Sequence, residues 1–284
     1  MMRYLLEIWK IMSDAIGHFN NDDGWAMASH VALSGIFALF PFVIFGTALA
    51  SFLGADAFAH TAEHLIFDFW PESVAEPIAR EVVRVMTEPR QGLLTVSVLT
   101  ALFFSSNGVE ALRVSLNRAY RVVDKRPWYL TRAQSLVFVF LAVLVFMTIS
   151  FGLVLAPLVL DLMMQWSPWT DGLIAIIENW RLYIALFVMI TGLLFAHLWL
   201  PAGRRNFIDV LPGIALTIVA WVAGASMFAA YLQGFANYVS TYAGLASIMI
   251  AMIFLYMLAA IFILGGELNA SILLRRKEQG RLRA

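Results

Sequence analysis

The chain has 284 residues, 61% of them hydrophobic and 13% charged, with a formal net charge of zero. A soluble domain carries about a quarter charged residues, so a soluble globular class is excluded and a polytopic membrane protein is expected. The chain contains no cysteine, which removes disulfides, zinc–thiolate sites and thiol nucleophiles.

Residues 1–20 lack the continuous apolar core and small-residue cleavage site of a secretory signal. Instead Leu5, Ile8, Trp9, Met12, Ala15, Ile16 and Phe19 recur at helical spacing, with Arg3, Glu7, Lys10, Asp14 and His18 opposite. The pattern predicts an amphipathic helix, lying in the membrane interface or against the protein's own cytoplasmic surface. A bilayer core of about 30 Å takes roughly 20 apolar residues per helix. Segments at about 26–53, 133–160, 181–200, 208–233 and 243–267 meet that length. A sixth, GLLTVSVLTALFFSSNG at 92–108, is shorter and ends in polar residues. Whether it spans decides the topology.

The basic residues favour six spans. In that arrangement fifteen of the 19 Lys and Arg share the side of both termini, leaving Arg80, Arg84, Arg90 and Arg181 opposite. The expected fold is all-α: one integral-membrane domain over 1–284, six transmembrane helices, both termini cytoplasmic, and a basic tail at 275–284. The acidic first outer loop contains PESVAEPIAREVVRVM, which reads as a surface helix with Val74, Ile78, Val82 and Val85 on one face. In the first span Ala28, Ala32 and Gly35 form a small-residue stripe for close helix approach. Pro41 predicts a kink there, because the Phe37 carbonyl loses its helical partner. Asp209, Pro212 and Gly213 open the fifth span, and QGFANYVSTYAG (233–244) is a short outer turn or partly re-entrant loop. No internal repeat is visible, which weighs against an inverted-repeat transporter.

Four constellations could carry chemistry. HTAEH at 60–64 matches a zinc-peptidase signature, in which His60 and His64 hold the metal and Glu63 acts as base. It lacks a suitable third ligand downstream, so an exposed turn is the expected reading and no metal is assigned. In SSNGVEALRVSLNRAYRV, Asn107, Glu110, Asn117 and Arg121 share one helical face with Arg113 beside it, while Val109, Leu112, Leu116 and Tyr120 take the other. For Arg118, Arg121, Lys125 and Arg126 a solvated face next to headgroups is expected. Asp22 and Asp23 read as an N-cap for the first span, and His30 could titrate near neutral pH. Glu267 and Asn269, in GGELNASILLRR, fall at the cytoplasmic edge of the sixth span, where an acid costs less than at the midplane. Arg113 or Asn107 is the expected partner of Glu267.

The chain resembles the YihY/virulence factor BrkB family of bacterial inner-membrane proteins over about residues 20–272. Three patches carry the likeness: AMASHVALSGIFALFPF, SSNGVEALRVSLNRAYRV, and the stretch from LPGIALTIVAW to the Gly-x-Glu-Leu-Asn pattern at Gly265, Glu267, Leu268 and Asn269. Where a TYG-like element is expected before the sixth span, this chain has TYAG. The resemblance implies six helices in the bacterial inner membrane. Members have carried the name ribonuclease BN, and transport or lipid-related roles have been proposed for them. Phosphodiester hydrolysis needs carboxylates or histidines clustered around metal ions, or a His acid/base pair. The expected cytoplasmic side has few acids, no such metal spacing and no soluble domain to hold RNA. No enzyme activity, cofactor or nucleic-acid partner is therefore expected.

The expected function is that of a transporter-like or solute-handling membrane protein. Asn107, Glu110, Arg113, Asn117, Glu267 and Asn269, with His30, would form a polar cluster facing the cytoplasm. Its partners would be membrane lipids, among them an anionic lipid or amphipathic solute drawn by the basic rim. The rival expectation is a scaffold that organises the envelope and passes nothing through itself.

Overall fold

The computed structural model describes residues 2–52, 76, 94–145, 148, 180–234 and 243–281, and these are helical apart from short turns. The helices are α1 (Met2–Asn21), α2 (Gly24–Phe52), α3 (Leu94–Ala119), α4 (Trp128–Val145), α5 (Trp180–Trp199), α6 (Phe207–Gly234) and α7 (Ala243–Arg281). Among the described residues three helices are long and apolar enough to cross a membrane: α4, Phe207–Leu232 of α6, and Ile248–Glu278 of α7; Tyr183–Trp199 of α5 is a shorter apolar helix. They correspond to the expected third, fifth, sixth and fourth spans. α2 covers the first, carries no Asp, Glu, Lys or Arg, and stays helical across Pro41. The tail expected at 275–284 is no separate element, because α7 continues unbroken to Arg281. At 1.5 Å per residue its 39 residues are about 58 Å long, nearly twice a bilayer core. His60, Glu63, His64 and most of PESVAEPIAREVVRVM lie outside the described residues.

The chain divides into two compact units. The first comprises Met1–Ala38, Ser106–Ser135 and Leu193–Ala284; the second comprises Leu39–Ser105 and Leu136–Gly192. The described helices of the second unit present Leu99, Phe103, Phe104, Val137 and Phe140 outward, as a lipid-facing surface would. The first unit holds every residue of the candidate site.

Within the first unit α6 and α7 pack side by side. Gly213 meets Gly265, the Trp221 indole donates to the Leu258 carbonyl at 2.9 Å, Gly224 lies on Met257, and Phe228 meets Phe254 at 5.4 Å between ring centres. The contacts run up one helix and down the other, so the pair is antiparallel. On α2 the small-residue stripe serves as expected: Ala28 and Ala32 are buried and Gly35 faces Leu255. Gly108 of α3 approaches α2 closely enough that a methyl group there would crowd Ala38 and touch the Ser34 backbone.

α1 lies against α7, and polar groups hold it there. Glu7 pairs with Arg275 at 2.9 Å and Asp14 accepts from the Ser271 hydroxyl at 2.7 Å, while Ala15 and Phe19 are buried. Leu6, Ile8, Trp9 and Ile16 remain exposed. The helix thus packs one side on the protein, as one of the two sequence expectations has it, and leaves an apolar side exposed. The Asp22–Asp23 cap does not form as expected. Asp23 adopts φ 57, outside the extended conformation an N-cap needs, and the Asp22 carboxylate turns back to His18 at 3.2 Å.

Candidate functional site

α3 ends in a left-handed turn. The Arg121 amide donates to the Arg118 carbonyl at 2.8 Å and the Val122 amide to the Asn117 carbonyl at 2.9 Å, with Arg121 at φ 56. This is the double closure usually completed by glycine. An arginine in that conformation costs about 1–2 kcal/mol, so the guanidinium is placed there against backbone preference.

Beyond the turn, Asp124 gathers three partners. Arg126 donates to it through the side chain at 2.7 and 2.8 Å and through its backbone amide at 3.0 Å. Asn117 donates at 3.2 Å, and Arg113 forms a short ion pair with the same carboxylate. The bonds from Arg126 hold the Asp124 carboxyl well below the usual carboxylate range, with burial opposing them. Arg113 also pairs with Glu110, whose other bond comes from Ser135 of α4 at 3.1 Å. The network reaches the α5–α6 turn as well. Arg126 donates to the Leu200 carbonyl at 2.8 Å, and the Ala202 amide donates to Asn117 at 2.7 Å.

A second, deeper cluster centres on Asn269, which is fully buried. Its side-chain oxygen accepts from the Gly213 amide at 2.7 Å, and its nitrogen donates to the Val210 carbonyl at 3.0 Å and the Tyr120 hydroxyl at 3.1 Å. Gly213 and Gly265 make this possible. A methyl group on Gly213 would overlap the Gly265 carbonyl and the Asn269 amide, and one on Gly265 would overlap the Thr217 hydroxyl. The Tyr120 hydroxyl lies 2.8 Å from His197 Nδ1. The Tyr120 hydroxyl thus bonds both Asn269 and the imidazole, and the His197 tautomer sets which of Tyr120 and Nδ1 donates. The Arg205 guanidinium sits 3.9 Å over the Tyr120 ring. Burial pushes the Tyr120 hydroxyl up to about 12, against the Asn269 bond and the Arg205 charge.

Glu267 lies between the two clusters and is 1% exposed. Its cation is Arg121, with Nη2 3.7 Å from Oε2, and the expected partners are otherwise engaged or distant. Arg113 is taken by Glu110 and Asp124. Asn107, half-buried on α3, makes no side-chain hydrogen bond among the described residues. Arg121 Nη2 also donates to Asp14 of α1 at 3.1 Å. Burial raises the Asp14 carboxyl, but the bonds from Ser271 and Arg121 outweigh it and the net shift is downward. Four buried polar atoms have no hydrogen-bond partner among the described residues: Arg121 Nε, His197 Nε2, Arg205 Nη1 and Glu267 Oε2.

Of the residues expected from sequence, Glu110, Arg113 and Asn117 join the first cluster and Asn269 anchors the second. Glu267 stands between them. His30 is exposed on α2 and is not brought to either. The solvated face expected for Arg121 and Arg126 is instead packed against protein, because Asp14, Asp124 and the 200–202 turn cover it. Asp14, Tyr120, Asp124, His197, Arg205 and Ser271 were not expected in the site. Tyr120 falls on the apolar face of α3, and the others reach the site only through tertiary packing.

A model of the virulence factor BrkB family matches residues 15–284. The chain belongs to that family. Among similar proteins is the ribonuclease-like protein YfkH of Bacillus subtilis, 25% identical over 94% of this chain and 96% of its own length. A UPF0761 membrane protein of Rhodospirillum centenum is 25% identical over 92% of this chain, which spans only 57% of that longer protein. Another, of Alteromonas mediterranea, is 21% identical over 86% of this chain and 81% of its own. No solved structure matches the chain at a significant level. In this BrkB-family chain the Gly265-x-Glu267-Leu268-Asn269 pattern has a physical basis. Gly265 admits the neighbouring helix, Asn269 bonds into its first turns, and Glu267 faces Arg121.

Proposed function

We propose that this BrkB-family protein is a six-span inner-membrane protein with both termini cytoplasmic, which moves, or helps to move, a small or amphipathic solute and catalyses no reaction. The observation that carries the reading is Glu267. In a site where the Asn269 side chain uses both its ends and Asp124 holds three partners, a wholly buried acid has one oxygen that faces Arg121 at 3.7 Å and makes no hydrogen bond among the described residues. A carboxylate kept only to lock helices would be satisfied, because an unmade bond on a buried charge costs more than about 1–3 kcal/mol. Exposed Trp25, Trp128, Tyr129 and Trp199, all at helix ends of the first unit, support a membrane edge at this level.

A scaffold is the second reading, and the Asn269 and Asp124 networks favour it because they tie α3, α6 and α7 and their turns together. The ribonuclease-like name belongs to YfkH. Against carrying it over, the described residues contain no group of three His, Cys, Asp or Glu placed to hold a metal ion.

Glu267→Gln separates the two readings. The expected result is normal insertion and expression with loss of complementation of a deletion phenotype. The native chain has no cysteine, so Ser271→Cys gives a single thiol beside the acid, and a small water-soluble maleimide should reach it from the cytoplasmic face. Full complementation by Glu267→Gln, together with an unreactive thiol at 271, would leave the scaffold standing.

A further inference from the structure

The Asp14 carboxylate occupies a built anion site. One oxygen accepts from the Ser271 hydroxyl at 2.7 Å and from Arg121 Nη2 at 3.1 Å. Ser271 is 1% exposed on α7, and Arg121 is held in a left-handed conformation that disfavours any residue but glycine. The acid that fills the site comes from another element, α1, and its side chain is half exposed. It can therefore swing into solvent while Ala15 and Phe19 keep α1 in place. The same guanidinium nitrogen faces the buried Glu267 oxygen at 3.7 Å, and neither that oxygen nor Arg121 Nε makes a hydrogen bond among the described residues.

We propose that Arg121, Ser271 and Glu267 form a binding site for a zwitterion that carries a primary ammonium close to a phosphate, the phosphoethanolamine group, with Asp14 as its built-in occupant. The phosphate oxygens take the place of the Asp14 carboxylate on Arg121 and Ser271. The ammonium donates to Glu267 Oε2, which makes no hydrogen bond among the described residues. A guanidinium and a hydroxyl suit phosphate, and the buried carboxylate beside them repels added negative charge, so a ligand that brings its own cation is favoured over an anion alone. An anion alone would compete with Glu267 for Arg121, and a cation alone would face Arg121. The group could come from a lipid headgroup or from a free phosphoethanolamine. The exposed aromatic side chains at neighbouring helix ends place both sources within reach. This assignment rests on the solute-handling reading and names the solute class for the same acid.

The test is equilibrium binding to the full-length protein in nanodiscs, with no activity required. The expected result is preferential retention of phosphatidylethanolamine over phosphatidylglycerol by native mass spectrometry. Glu267→Gln, which keeps the shape of the acid, should abolish that preference. Asp14→Asn, at a half-exposed position, should tighten binding by about tenfold, the scale of one charge-assisted hydrogen bond. Competition by free O-phosphoethanolamine supports a soluble source, and preference without competition supports the lipid. No preference in the native protein, an unchanged preference in Glu267→Gln, or binding no tighter in Asp14→Asn overturns the assignment. If Glu267→Gln abolishes complementation while the native protein shows no preference, solute handling stands and this ligand class falls. If the preference behaves as expected while Glu267→Gln complements fully, the reverse holds.

Discussion

At the residue scale Asp124 shows how a single loop acid can set the geometry of three helix ends. It is only 11% exposed and receives Arg126, Asn117 and Arg113 together. The Arg126 bonds depress its carboxyl far below the ordinary value of about 3.9. A depressed carboxylate contributes stability that is full above its unfolded pKa and is lost as pH falls toward the folded one. Asp124→Asn should therefore lower stability at neutral pH by about 2 kcal/mol, since Arg113 and Arg126 keep their burial and lose their counter-charge. Below about pH 4 the wild type protonates Asp124 more readily in the unfolded chain, so the gap between wild type and variant should narrow. Denaturation midpoints of both proteins across that range provide the measurement, and a gap as wide in strong acid as at neutrality would refute the account. Neighbouring Glu110 follows the same logic more weakly, because burial offsets part of what Arg113 and Ser135 contribute.

At the element scale the α6–α7 contact depends on two glycines that meet face to face. A methyl group on Gly213 would strike the Gly265 carbonyl, which is backbone, and would also meet the Asn269 amide; one on Gly224 would meet the flexible end of Met257 and the tip of Ile261. Gly213→Ala should therefore abolish a monodisperse folded species, whereas Gly224→Ala should be tolerated at a cost below about 1–2 kcal/mol. Fluorescence-detected size-exclusion profiles that show equal tolerance would mean the two helices can part at Gly213 without loss. The sequence reveals these helices readily, because their apolar runs are long and the charges flank them. It reveals Glu267 and Asn269 through the Gly-x-Glu-Leu-Asn pattern. It does not reveal the partners. Arg121 looks like one more residue of an amphipathic face, since nothing local shows that α3 stops at Ala119 and swings it inward. Asp14 and Ser271 are separated by 257 positions, and no periodicity joins them. Tyr120 and His197 read as apolar-face and helix-end residues until α5 is brought against α3. The Asp22–Asp23 cap is misread for a related reason: aspartate also tolerates the left-handed conformation that Asp23 adopts to turn the chain from α1 into α2.

At the scale of the whole molecule, several connections of the first unit lie together. Arg118 of α3 donates to the Asp22 carbonyl in the α1–α2 turn, at 3.4 Å. Arg126 in the α3–α4 connection donates to Leu200 in the α5–α6 connection, and Arg276 near the end of α7 pairs with Asp209 at the start of α6 at 2.8 Å. A chain with six crossings and both termini on one side gathers these same segments at one face. The fifteen basic residues that the six-span arrangement collects there explain why that face would stay cytoplasmic. α1 and α7 are joined by Glu7–Arg275 and Asp14–Ser271, a contact that the proposed even number of crossings accommodates. Single cysteines in the cysteine-free chain can test the arrangement. Thiols at Lys125, Arg204 and Lys277 should react with a membrane-impermeant maleimide in inverted vesicles and stay silent in intact spheroplasts. Thiols at Glu88 and Asn237, in the expected outer loops, should do the opposite. Labelling of Lys125→Cys and Lys277→Cys from opposite faces would break the six-span arrangement. It would also contradict the proposed path by which a cytoplasmic solute would reach Glu267, because the basic rim and the acid would no longer open to the same compartment.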